Sequence, residues 1–404
     1  MIVVFLVKRF GDYINNSGVY YAAMSNCLHL RACKIKAIVE TVTNEEEIFD
    51  IVNKYSDDTI HFVIEGIWAT PQTIFKLVDN NNVTVTVRLH SKWSFMDSKT
   101  VDYISLLAAT SLVCDPLPEG SAWYKGDNWD FVKQEFRDQL EYPYKNSDDS
   151  RIFIAFNEEN CMLSYRKYLK SLIHSFNDNA TKNPYLSDLI DCVVIFLPNH
   201  VLTDNEVINN HISSYSKNYD DLRGSIFLNV CCFGELRLMK NHVTQALASI
   251  NVADRLNKEL RFHVNSSLDT DPQLILMRNL FKHHRRHKLI EHDWMSLPEL
   301  FNEIKKCDVN IQVSFTETFN FVAALGALAG TLTIGGQSIN WLPKSLTAAA
   351  DDISHIEHTI YENIIRTRKW YPGDIRKAAY TGLMKYINKT EHLWYRFTDR
   401  LLDK

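Results

Sequence analysis

Short apolar runs alternate along the chain with longer stretches of helical periodicity. The runs are "MIVVFLV", "KIKAIVE", "IHFVIEGIW", "VTVTVRLHS", "RIFIAFN" and "CVVIFLPN", followed in the second half by "SIFLNVCCF", "LRFHVN", "KLIEHDW", "VNIQVSF" and "GTLTIGG". Many are almost unbroken in hydrophobicity, the pattern of parallel strands covered on both faces. Stretches such as "KNHVTQALASINVADRLNKEL" and "LPELFNEIKKC" read as the helices between them. Two successive sets of strand and helix predict an α/β protein of two doubly wound, Rossmann-like domains facing each other across a cleft. The interruption "LPNHVLTDNEV" divides residues 1–197 from 198–380. Residues 115–150, aromatic, charged and turn-rich, read as an insertion in the first domain, and a helix over 380–404 is expected to pack back on that domain.

Composition narrows the function classes. With 46% hydrophobic and 23% charged residues the chain is neither a disordered polymer nor a fibre. A net charge of −5 means that any nucleic-acid binding must come from a local basic face. The eight cysteines include no C-x-x-C pair and read as reduced core thiols of a cytoplasmic protein. The first apolar run is too short for a signal peptide or a membrane span, so no membrane partner is expected.

Polar residues stand at several strand ends, where open parallel sheets bind ligands. In "FGELRLMKNHVTQA", Gly234 permits a tight turn into a helix whose start carries Arg237 and Lys240. Cations there oppose the helix dipole. Either they are solvated surface charges, or they share a bound diphosphate with the helix amides. Glu317 interrupts the small and apolar "VSFTETFNFVAALGALAG". It either faces water and complements the next helix, or accepts from sugar hydroxyls while the amides of Thr318, Phe319 and Asn320 face an anionic group. His90 ends a strand beside Arg88 and Ser91, as a ligand-polarising imidazole or a satisfied structural one. Ser17 and Gly18 offer a close-approach loop after the first strand. Arg278, Lys282, Arg285, Arg286 and Lys288 in "RNLFKHHRRHK" either follow a phosphate backbone or form a solvated helix end.

Taken in order, these segments resemble a GT-B glycosyltransferase, nearest to the retaining family four. The resemblance runs from "FGELRLMKN" through "LRFHVNSS" and "LIEHDWMSLPELFNEIKKCDVNIQVSFTETFNFVAALGALAGTLTIGGQSINWLP", and more weakly through "SGVYYAAMSNCL", "IEGIWATPQTIFKLV" and "RLHSKWSF". It implies a hexosyl- or pentosyltransferase, with a nucleotide-diphosphate sugar as co-substrate and no further cofactor. Arg237 and Lys240 match the family's diphosphate pair, and Glu317 the first acid of its E-x7-E motif, on the donor sugar. Thr318, Phe319 and Asn320 match the turn whose amides face that sugar. His90 and Gly18 match first-domain donor contacts, and Glu291 and Trp294 fall where the nucleobase is held. Leu325 departs from the pattern, standing where the family has a ribose-binding acid.

The chain is similar in particular to such enzymes of bacteriophages, some of which modify 5-hydroxymethylated cytosine in DNA. Double-stranded phage DNA, glycosylated against nucleases in the host cytoplasm, is therefore the expected acceptor, and transfer is expected to be metal-independent. A glycan, lipid or protein acceptor stays open, as do a nucleotide-sugar epimerase and an inactive nucleotide-binding protein.

Overall fold

The structure is a computed structural model that describes residues 1–9, 18–90, 150–176, 186–201, 225–266, 271–369 and 372–402, with isolated positions between 92 and 108. The expected insertion at 115–150, apart from Ser150, and Ser17 lie outside the described residues. The chain forms two compact units, one of Met1–Ile14, Ala23–His200 and Glu391–Lys404, the other of Asn15–Ala22 and Val201–Thr390.

The first unit is a six-stranded sheet of β1 (Ile2–Lys8), β2 (Ala37–Val42), β3 (Ile60–Glu65), β4 (Val83–Leu89), β5 (Ile152–Phe156) and β6 (Val194–Phe196), in the order β2-β1-β3-β4-β5-β6. Its strands all pair in parallel. Every residue of β3 and β5 is buried, as two covered faces require. Helices such as Pro71–Asp79, capped by Thr70 and opened by a proline, supply the crossovers. The final helix, Pro372–Leu402, contributes its end from Glu391 to this unit. There Trp394 is fully buried 5.4 Å from the Phe5 ring, and its Nε1 donates to the Pro198 carbonyl at 2.8 Å.

The second unit holds β7 (Phe227–Cys231), β8 (Glu259–Asn265), β9 (Lys288–His292), β10 (Val309–Gln312), β11 (Leu332–Gly336) and β12 (Thr347–Ala348). Again all strands pair in parallel, in the order β12-β11-β10-β7-β8-β9. Counted within the unit this is the 3-2-1-4-5-6 arrangement of a dinucleotide-binding fold, whose winding reverses between its first and fourth strands. Those strands are β7 and β10. Helix Phe321–Ala329 presses on β10 and β11 through small residues; a methyl group at Gly326 would strike the side chains of Asn310 and Thr333. Gly330 ends that helix in the left-handed conformation, at φ 74°. Among the described residues, no helix is long and apolar enough to cross a membrane.

Candidate functional site

In the second unit, the reversal point brings together the loop after β7 and the loop after β10. Gly234 turns the first loop at φ 120°, with its amide on Asn265 Oδ1 at 2.9 Å. A 3-10 turn, Leu238–Lys240, then leads through left-handed Asn241 into helix His242–Arg255. Three polar side chains tie this loop to its neighbour. Gln245 accepts from the Val313 amide at 2.6 Å and donates to the Lys240 carbonyl at 2.7 Å. Asn241 donates to the carbonyls of Val313 and Ala350, at 3.2 and 2.8 Å. Gln312 donates to the Phe233 carbonyl at 3.0 Å and accepts from Asn320 at 3.1 Å.

Within this frame Lys240 donates to Glu317 Oε1 in an ion pair whose side chains are 22% and 11% exposed. The carboxylate that interrupts the apolar stretch is thus compensated from within the unit. Arg237 does not join the pair: its side chain is 61% exposed and bonds Glu235 at 3.0 Å. Thr318 and Phe319 are buried, and the Phe319 carbonyl accepts from Trp341 Nε1 at 2.7 Å. Asn320, at φ 54°, caps helix Phe321–Ala329 by accepting from the Ala323 amide at 2.8 Å. The side chains of Phe319 and Asn320 are therefore committed to packing and capping. The amides of Glu317 and Phe319 find no acceptor among the described residues.

Polar groups in the loops after β10 and β11 are also left over. Ser314 Oγ, Thr316 Oγ1 and Ser338 Oγ are buried and make no hydrogen bond among the described residues. Such groups are costly in a finished core and ordinary in a site that awaits a ligand. His242, buried at the helix start, has neither ring nitrogen in a well-formed hydrogen bond. Burial, then the Lys240 charge, push its pKa down to about 3, with the Cys232 backbone pulling the other way.

His200 is likewise pushed down to about 3 by burial and the stacked His29 ring, and His263 to about 4 by burial and His292. All three fold as neutral imidazoles, so the unfolded chain binds more protons between these values and 6.5. Their contribution to stability is complete above pH 6.5 and is lost as pH falls towards 4. Urea midpoints should therefore drop clearly between pH 7.5 and 5; a midpoint constant over that range would contradict the burial of these rings.

In the first unit, His90 follows β4 and contacts Glu65 Oε2 through Nε2 at 2.6 Å. Glu65 is fully buried with Arg88, at 3.1 Å from each carboxylate oxygen to the same guanidinium nitrogen. Burial alone would raise the Glu65 carboxyl, but Arg88 and His90 hold it below the usual range. As a carboxylate Glu65 can only accept, so His90 Nε2 donates to it, while Nδ1 lies 3.5 Å from Asn157 Nδ2.

The remaining expected residues lie on other elements. Gly18 is the exposed first residue of helix Gly18–Ala32, and an added Cβ would meet nothing within 4 Å, so close packing does not require glycine. Three residues later Tyr21 stacks on Phe321, with centroids 5.7 Å apart. Glu291 is held by Arg278 through two bonds of 2.8 and 2.6 Å, and Trp294 lies partly buried after β9. In the basic run, Arg278 is thus paired with Glu291, Arg286 approaches Asp254 at 3.7 Å and Lys288 approaches Glu259 at 3.6 Å. Lys282 and Arg285 are exposed without an ion pair among the described residues. The run is therefore not a continuous basic face. Leu325 is 1% exposed and belongs to the core of the second unit.

Glu65, Asn157, Asn241, Gln245 and Gln312 are absent from the sequence-based set. Glu65 and Gln312, polar residues inside apolar strand runs, carry a signal in the sequence.

Two parallel Rossmann-like units in one chain constitute the GT-B fold of glycosyltransferases. No family model and no curated protein matches the sequence. Solved structures do. HepE of Anabaena, crystallised with UDP, is 10% identical with a TM-score of 0.55, over 99% of this chain and 100% of that one. The α,α-trehalose 6-phosphate synthase of Burkholderia multivorans is 10% identical with a TM-score of 0.57, over 100% and 98%. A trehalose-6-phosphate synthase studied for glycosyl transfer with retention is 11% identical, at 0.55, over 100% and 99%. At such identity the likeness is one of fold.

Proposed function

We propose that the chain is a glycosyltransferase that moves a sugar from a nucleotide-diphosphate donor to an acceptor hydroxyl with retention. The observation that carries this reading is the Lys240–Glu317 pair at the sheet's reversal point, with the buried, partnerless hydroxyls of Ser314 and Thr316 in the same loop as Glu317. On donor binding Lys240 turns to the diphosphate and Glu317 accepts from the sugar hydroxyls. The amides of Glu317 and Phe319 supply further donors. Arg237 leaves Glu235 at little cost, since an exposed ion pair is worth about 0–1 kcal/mol. As the glycosidic bond breaks, negative charge grows on the departing diphosphate, and these fixed donors stabilise it. The departing phosphate then takes the acceptor's proton on the same face. His90, oriented by Glu65, is assigned to the donor sugar, and Glu291 and Trp294 to the base.

The test is a transfer assay with a panel of nucleotide sugars, comparing wild type with Arg237→Ala. The variant should lose about 10²–10³-fold in kcat while its stability stays within about 0.5 kcal/mol, because the side chain is exposed. Unchanged turnover would remove Arg237 from the reaction. For the acceptor, hydroxymethylated cytosine in DNA draws support from Lys282 and Arg285 alone within the basic run. Running the assay with such DNA, with glycans and with no acceptor separates DNA modification, another acceptor and epimerisation.

A further inference from the structure

A cluster of metal-ligating type lies outside the pair described above, on the other side of β7. We propose that His263, His292 and Glu303 form a binding site for one divalent transition-metal ion, zinc by the preference of its donor set. His263 stands on β8, His292 ends β9, and Glu303 lies on helix Leu297–Lys306. His263 Nδ1 and His292 Nε2 are 3.0 Å apart. One ligand atom from each of the three residues lies within 4.8 Å of the others. With metal–nitrogen bonds of about 2.0–2.1 Å, two nitrogens at that separation fit on one ion, and two imidazoles with a carboxylate leave a fourth position open.

The electrostatics agree with the geometry. His263 Nδ1 and His292 Nε2 face each other at 3.0 Å, so one of the two nitrogens accepts and has a lone pair to give. Burial lowers both histidines and Glu303 pulls both the other way, which marks it as the negative charge facing them. Its present partner, Lys306, is 68% exposed and can yield Oε1 to a cation at small cost. His263 Nε2 is buried without a partner, so His292 is this ring's hydrogen-bonding contact among the described residues.

An ion here would tie the end of β9 to helix Leu297–Lys306 and stiffen the segment between them, which carries Trp294. The site stands independently of the glycosyltransferase reading, because its ligands belong to neither loop of the Lys240–Glu317 pair.

The experiment uses the full chain stripped with EDTA. ZnCl2 is titrated by calorimetry, CoCl2 by visible absorption, and thermal unfolding is followed with ZnCl2 or MgCl2. One equivalent of zinc should bind, cobalt should give the ligand-field bands of a low-coordinate site, and Tm should rise with zinc but not with magnesium. His292→Ala should abolish these signals and Glu303→Gln weaken zinc binding tenfold or more. Neither side chain belongs to the core, and circular dichroism checks that each variant folds. Absence of stoichiometric zinc binding in the wild type, or unchanged affinity in either variant, overturns the site.

Discussion

Glu65→Ala is expected to destabilise the first unit by about 3–5 kcal/mol, the usual result of stranding one partner of a buried ion pair. Arg88 has no exposed surface to retreat to. It would keep its bonds to the carbonyls of Leu197 and Pro198, at 3.2 and 3.0 Å, and its contact with Asn199, but none of these neutralises it. Its guanidinium also lies 5.4 Å from the Trp394 ring, so strain there would reach the C-terminal helix. The double variant Glu65→Ala/Arg88→Met should recover much of the loss, since removing both charges removes the uncompensated one. Urea unfolding measures this directly. A loss below about 1 kcal/mol for the single variant would mean that the charges are not buried together. The same substitution frees His90 Nε2, so any part of His90 in transfer should weaken in the double variant even where stability returns.

Lys240→Met is expected to lower kcat by about 10²–10³-fold, equivalent to about 2.7–4 kcal/mol, by removing a fixed donor from the developing diphosphate charge. It should also cost about 1.5–3 kcal/mol of stability, because Glu317, only 11% exposed, loses a charged hydrogen-bond partner. Adding Glu317→Gln separates the two effects. Stability should return, as the unpaired charge is gone, whereas activity should fall further because the sugar hydroxyls exchange a charged, two-oxygen acceptor for a neutral amide with one. Recovery of activity along with stability would reduce the pair to a structural clasp and sink the proposed mechanism.

Comparison of strand patterns with the fold shows where local information was enough. β1 and β5 are nearly continuous apolar runs, and each is a buried parallel strand. Burial on two faces leaves little choice of residue, so the pattern survives in the sequence. Glu317 was legible for the same reason, since one carboxylate in an apolar and small-residue stretch demands compensation. That Lys240 supplies it could not be read, because 77 residues separate them and only the winding of β7 and β10 makes them neighbours. Arg237, three positions before Lys240 and of the same charge, turns to Glu235 instead. The basic run looked uniform in sequence. Its charges are largely matched by Glu291, Asp254 and Glu259, acids that β8, β9 and helix His242–Arg255 bring alongside.

By itself the sequence determined which segments become strands and helices, because hydrophobic periodicity is a local property that burial enforces residue by residue. It also singled out the loops after β7 and β10 as candidates for the proposed chemistry, since they carry charge at the strand ends where open parallel sheets bind ligands. The tertiary structure decided which charges meet. Lys240 with Glu317, Glu65 with Arg88, and His263 with His292 and Glu303 are groupings across distant strands. Electrostatic and coordination energies depend on separation in space, which chain order leaves open until the sheet order closes it.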